Sequence, residues 1–205
     1  MTFKKKWVFI AGILIILISL FFLIGKRQFI PKVKLTSGDI SVHLMDGDII
    51  CRLGDRLWSH VFKDISPVDK RFSHLGIVRI VDDKITVIHA EGRAIEGMDS
   101  VNETDLDEFL DIALAVGIYR LNDFDGGMIS SEALNFIGYP FDWNFNLDDE
   151  NRIYCTELLH RILKIIAPEI RLITVFQKEI NKEIIPLEAV SNSEYFSEIF
   201  FASVY

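Results

Sequence analysis

Uncharged residues dominate the start of the chain. Trp7 to Gly25, WVFIAGILIILISLFFLIG, is 19 residues without a charged side chain, enough for a helix to cross the hydrocarbon core of a bilayer. Its apolar positions run round every face, unlike the single stripe of a helix in a soluble core. It exceeds the usual h-region of a signal peptide. The bulky, basic GKRQFIPKVK follows where a small-x-small cleavage site would stand. The pattern predicts a single-pass anchor, residues 1–27 with basic flanks; a cleaved signal is the alternative. Residues 28–45, with a Pro and a Ser-Gly turn, read as a linker, and residues 46–205 as one domain.

Within that domain the pattern changes from continuous to alternating. The Asp46-Gly47-Asp48 turn leads into the short apolar strand IICRL, and DRLWSHVF (55–62) reads as a short helix. HLGIVRIV (74–81) and ITVIHA (85–90) flank Asp82-Asp83-Lys84, which predicts two antiparallel strands joined by a tight turn. A helix is expected over Glu103–Leu110, begun at Asn102 or Thr104. IALAVGIYRL (112–121) is apolar enough for an interior strand. Asp125 to Ile137 reads as a helix stopped at Gly138, with Tyr139-Pro140-Phe141-Asp142 as a turn. Tyr154 to Ile166 carries Cys155, Leu159, Ile162, Leu163 and Ile166 on one face, the most regular helical spacing in the domain. The closing FFASVY fits a strand or a docking tail. Runs of strand and helix without βαβ alternation give an α+β class: a small, mostly antiparallel sheet with packed helices, preceded by one transmembrane helix.

Charge narrows the partners. Every charged residue up to Lys34 is basic, seven of the 22 Lys and Arg, so the remainder sets 15 basic residues against all 30 acidic ones, a formal charge of −15. Phosphate backbones would repel such a domain, and no nucleic-acid partner is expected. With only Cys51 and Cys155 there is no disulfide framework, though one bridge could form. No CxxC and no Cys/His cluster of zinc spacing occurs, and Asp148-Asp149-Glu150 lacks the spacing of a calcium loop. Neither a metal nor a cofactor is expected. An anchor that leaves its short basic tail in the cytoplasm places the domain on the periplasmic or extracellular side.

The candidate chemistry centres on Cys155. At a helix start its thiol meets unpaired N–H groups and the positive end of the helix dipole, both of which favour a thiolate and could hold an oxyanion. The plainer reading is a small buried apolar residue. A thiolate needs a base, and the base an orienting partner. His74 and His89 lie fifteen residues apart across a tight turn, and pairing about residue 83 puts 74 near 91 or 92 and 89 near 77. Both His89 and Glu91 are then within diagonal reach of His74. Cys51 reads as core, and His43 and His60 as surface or linker residues. His160, five residues beyond Cys155, points about 140° away. Asp142 and Glu157 suit turn or helix-start capping.

The order GDII…FSHLGIV…VIHAEG…GYPFD…IYCTEL over residues 46–166 resembles circularly permuted papain-like hydrolases of the YiiX/YebB type, related to NlpC-type cell-wall peptidases and distantly to lecithin:retinol acyltransferase. The resemblance implies His74 as base in Ser73-His74-Leu75-Gly76-Ile77. It further implies His89 as polar third member and Cys155 as nucleophile in Tyr154-Cys155-Thr156-Glu157-Leu158. Relatives often carry Glu where this chain has His89, so Glu91, facing the same way two residues on, is held as the reserve. Tyr154 is implied as an oxyanion donor or support. The expected function is a membrane-anchored thiol hydrolase or acyltransferase acting through a Cys155 thioester on an amide or ester of an envelope peptide or lipid. The alternative is a catalytically silent binding module using the same groove.

Overall fold

The computed structural model describes residues 34–93, 98–178 and 180–204. The apolar stretch 7–25, on which the anchor expectation rests, lies outside them. Among the described residues no helix is long and apolar enough to cross a membrane.

The chain forms α1 (Ser37–Ile40), a 3-10 turn (Ser41–His43), β1 (Ile49–Gly54), α2 (Leu57–Lys63), β2 (His74–Val81), β3 (Lys84–Arg93) and β4 (Met98–Asp105). Then come α3 (Leu106–Leu110), β5 (Ala113–Leu121), α4 (Gly126–Ala133), a second 3-10 turn (Leu134–Phe136) and α5 (Cys155–Ile166). The chain closes with β6 (Val175–Gln177), β7 (Lys182–Ile184), α6 (Glu188–Ser191) and β8 (Phe196–Ser203). Six strands make one sheet in the order β4-β3-β2-β1-β5-β8, every pairing antiparallel, and β6-β7 is a separate hairpin.

Both faces of the sheet are covered, which is why β1 and β5 read as continuous apolar runs rather than alternating ones. One face presents Cys51, Leu75, Ile77, Ile88 and Ala90 to Leu158, Leu159, Ile162 and Leu163 of α5. The other presents Ile50, Val78, Val87 and Ile118 to Ile40, Leu106, Phe109 and Leu110. Burial at this scale contributes about 1.5–3 kcal/mol per large side chain. The β2–β3 turn is tighter than expected. Val81 pairs with Lys84, leaving Asp82 and Asp83 as a two-residue loop with both φ values positive (48° and 63°), the type I′ form that suits strand twist.

Two expectations change. The helix expected from Asn102 or Thr104 is mostly strand: Ser100, Asn102 and Thr104 belong to β4, which pairs with β3 along its length, and only Leu106–Leu110 turns helical. Cross-strand partners such as Thr86, whose hydroxyl donates to Glu103 at 2.6 Å, outweigh the weak local preference of a polar segment. The segment read as linker is also part of the domain from at least Leu35. Leu35, Ile40 and Leu44 are buried in the second core, and Asp39 accepts from the Thr36 N–H at 2.8 Å, forming a cap. FFASVY contributes to β8, paired with β5.

Candidate active site

The site grows from the first residue of β2. Ile77 pairs with Ile88 on β3, and the same register continued puts His74 level with Glu91 and Gly76 level with His89. On the other side, His74 pairs with Arg52 of β1. Arg52, His74 and Glu91 thus form one row across three strands, with His89 diagonal to His74. Gly76 keeps that row close. A Cβ there would meet Val87 Cγ1 at 2.4 Å and His89 Cβ at 3.1 Å, so the glycine two residues after the histidine is a packing requirement of the motif.

The side chains of the row are bonded directly. His74 Nε2 lies 2.9 Å from His89 Nδ1, and His89 Nε2 lies 3.1 Å from Thr104 Oγ1. Arg52 Nη2 donates to Glu91 Oε2 at 2.6 Å, and Nη1 donates to the Phe109 carbonyl, also at 2.6 Å. Glu91 Oε2 is 3.4 Å from His89 Nδ1 and 3.9 Å from His74 Nε2. Phe109 of α3 closes the cluster. Its ring centroid lies 5.9 Å from that of His74 and 5.2 Å from that of His89, and the Arg52 guanidinium sits over the same ring at 4.3 Å. Arg52, His89 and Glu91 are all buried. A direct chain of polar partners is what permits that burial.

Cys155 arrives from the other face, as the first residue of α5. The backbone N–H groups of Leu75 and Thr156 favour its thiolate, as expected at a helix start, but burial outweighs them and raises the thiol from 9.0 to about 11. The expectation of a lowered thiol pKa is therefore corrected: the dipole is present, and desolvation is larger. Cys51 is buried on β1 as expected, its thiol also pushed well up by burial, and both cysteines are free.

The two halves meet at a cavity of about 400 Å³ lined by Cys155, His74, Arg52, Glu91 and Tyr154. Its remaining wall is largely aromatic and aliphatic, including Trp58, Phe62, Phe141, Trp143, Phe145 and Pro186. Tyr154 is buried, and its hydroxyl accepts from the Ile185 N–H at 3.0 Å. That leaves its own proton for another acceptor. Glu157 caps α5 by accepting from the Tyr154 N–H at 3.3 Å and pairs with Arg161 at 2.6 Å. Asp142 is fully buried and holds its loop by accepting from the Asn144 and Asn146 N–H groups. His43 and His60 are exposed, and His160 is half-buried and does not line the cavity.

Arg52, Thr104 and Phe109 were missed from sequence. Arg52 carried a signal: one cation in the otherwise apolar IICRL demands a buried carboxylate partner. Thr104 was hidden by the helix expectation, and Phe109 by lying on a five-residue helix outside every motif. The folded chain also forms a cluster that spacing along the sequence does not reveal: one donor atom from each of His74, His89 and Glu91, all within 4.8 Å of one another.

Comparison with known proteins bears on the family and the fold. A family described as permuted papain-like amidase enzymes, YaeF/YiiX, C92 family, matches residues 43–192. No curated protein matches the chain by sequence. Among solved structures, one titled the metalloprotein yiiX from Escherichia coli O157:H7 superposes with a TM-score of 0.64 at 16% identity. The match covers 78% of this chain and 99% of that one.

Proposed function

The chain belongs to the permuted papain-like amidase family of the YaeF/YiiX type, and from that premise we propose that it is a thiol amidase with Cys155 as nucleophile, His74 as base and His89 as the base's orienting partner. The observation that carries the proposal is the hydrogen-bonded chain His74–His89–Thr104 ending on the cavity that Cys155 also lines. Of the two directions this chain permits, the base role requires the one in which His74 Nε2–H donates to His89 Nδ1 and His89 Nε2–H donates to Thr104. His74 Nδ1 is then the basic nitrogen. It takes the thiol proton as sulfur attacks the substrate carbonyl, and the backbone N–H groups at the α5 start, with Tyr154, stabilise the oxyanion. Collapse expels the amine, which receives that proton, and leaves a Cys155 thioester. Water attacks the thioester with His74 again as base, releasing the acid and restoring the thiol. Glu91 faces the Nε2 side and stabilises the imidazolium formed in each half-reaction.

The aromatic wall supports an amide or ester with an apolar acyl or neighbouring group, a lipid-type substrate or an envelope peptide with an apolar side chain. Residues 7–25 would anchor the enzyme beside such substrates, with the domain on the periplasmic or extracellular side. The direct test of function is turnover of N-acyl amides of graded chain length by the full-length chain, its Cys155→Ser and its His74→Ala forms. The proposal expects preference for apolar acyl groups and loss in both variants; equal turnover by Cys155→Ser refutes it. The anchor expects retention in membranes after high-salt and alkaline carbonate washes, and release under either wash refutes it.

A second reading has one observation in its favour. A thiol raised to about 11 is little ionised at neutral pH, as in a binding module that does not turn over. Rapid acylation of Cys155 by an activated ester bearing an apolar chain would decide for the enzyme.

The Escherichia coli neighbour's title calls it a metalloprotein. Two imidazoles and a carboxylate are a zinc-type donor set. Their spacing suits an ion, but their bonding here opposes one: Arg52 donates to Glu91 Oε2 at 2.6 Å, and the two imidazoles bond each other at 2.9 Å. No step is assigned to a metal.

A further inference from the structure

We propose that Arg52 is a positioning residue that acts as a built-in cation, holding His74, His89 and Glu91 as a proton-relay cluster and excluding a transition-metal ion from them. The inference rests on the reading of His74 as base, and it concerns a residue that the motif order did not single out. Three observations carry it. The donor atoms of the three residues lie within 4.8 Å of one another in a buried pocket, a spacing at which an ion with bonds of about 2.0–2.2 Å could gather all three. The carboxylate oxygen nearest the imidazoles is the one that takes the guanidinium at 2.6 Å. Arg52 is itself fixed, by the Phe109 carbonyl at 2.6 Å and the Phe109 ring at 4.3 Å.

The charges then decide the occupant. Arg52 and Glu91 together are neutral, so adding a divalent ion would place an uncompensated double charge in a desolvated site. Metal binding would also break the His74–His89 hydrogen bond, because both nitrogens would have to turn their lone pairs to the ion. A neutral side chain at 52 lifts the repulsion and frees the carboxylate. Lysine keeps the charge but not the two-point grip of the planar guanidinium.

The test uses the full-length chain and its Arg52→Met and Arg52→Lys forms. Binding of Co²⁺ is read by visible ligand-field absorption and by calorimetry, with Zn²⁺ in competition. Wild type is expected to bind Co²⁺ weakly. Arg52→Met should bind one equivalent at least about 100-fold more tightly, with the gain lost in Arg52→Met/His89→Ala. Arg52→Lys should stay within about tenfold of wild type for metal and recover part of the kcat that Arg52→Met loses. Equal affinity in wild type and Arg52→Met overturns the proposal. If Arg52→Met does not fold, wild-type metal content decides: retention of one equivalent of zinc through dialysis overturns the proposal, and less than about 0.1 equivalent supports it. Metal affinity is read without turnover, so failure of the thiol-amidase reading, seen as an active Cys155→Ser form, is distinct from failure here.

Discussion

The two halves of the candidate site are held by opposite means. The imidazole half, at the end of the sheet on the α3 side, is a network of short direct bonds: His74–His89 at 2.9 Å, His89–Thr104 at 3.1 Å and Arg52–Glu91 at 2.6 Å. The thiol half, at the start of α5, is held mainly by burial, with backbone N–H groups as its favourable partners and a thiol raised to about 11. Under the proposed mechanism the base would be organised before substrate arrives, and the nucleophile would start as a protonated thiol. This difference favours proton removal during attack over a resting thiolate–imidazolium pair.

The largest expected effect removes either half. Cys155→Ser and His74→Ala should each lower kcat by about 10³-fold or more with thermal stability nearly unchanged, because nucleophile and base act as a unit. Turnover assays and melting curves on the same preparations check this, and a large loss in only one variant would break the pairing of the two halves.

The next effect separates roles inside the imidazole half. His89→Ala should cost about 100-fold in kcat, less than His74→Ala, since it orients the base and does not take the thiol proton. Glu91→Ala should show itself first in stability, by about 3–5 kcal/mol, because it leaves the Arg52 guanidinium buried without its carboxylate. Denaturant melts beside kinetics distinguish the two. A larger kcat loss in Glu91→Ala than in His89→Ala, at equal folded fraction, would move the third-member role to Glu91.

That division shows what the sequence could and could not convey. His74, His89, Glu91 and Cys155 were legible as candidates because strand alternation and helix spacing bring them within reach of one another, and because the motif order around them resembles a known family. Their bonding order was not, because it depends on register: Ile77 pairs with Ile88 rather than with His89, a one-residue shift that settles which group stands opposite His74. The thiol pKa was misread for a related reason. The helix dipole at Cys155 is local and visible, whereas its desolvation comes from elements far apart in the chain. β4 shows the same limit, since Ser100, Asn102 and Thr104 are held in a strand by their partners on β3.

A smaller effect sharpens the thiol half. Alkylation of Cys155 by iodoacetamide in the free protein should rise about tenfold per pH unit from neutral pH and level off only near 11. A plateau below pH 8 would mean an ion-paired thiolate already present. The same shift has a stability sign. Between 9.0 and about 11 the unfolded chain loses its thiol proton while the folded chain keeps it, so this group's contribution falls as pH rises through that window. Melts of wild type against Cys155→Ser should converge below pH 9 and diverge above it.

The smallest effect concerns the cavity wall. Trp58 is 66% exposed on α2, a helix without a buried residue, yet it lines the cavity. Trp58→Ala should raise KM for long-chain acyl amides by about tenfold and leave short-chain ones nearly unchanged. An equal change for both would remove the aromatic wall from acyl recognition.

The central claim, that a thioester forms on Cys155 with His74 as base, is tested most directly by acid quench and intact-mass analysis of the full-length chain during turnover of an N-acyl amide. The account expects one acyl adduct, mapped to the Cys155 peptide and labile to hydroxylamine. That adduct should be absent in Cys155→Ala and slow to form in His74→Ala. Continued turnover by Cys155→Ala, or an adduct on any other residue, would contradict it.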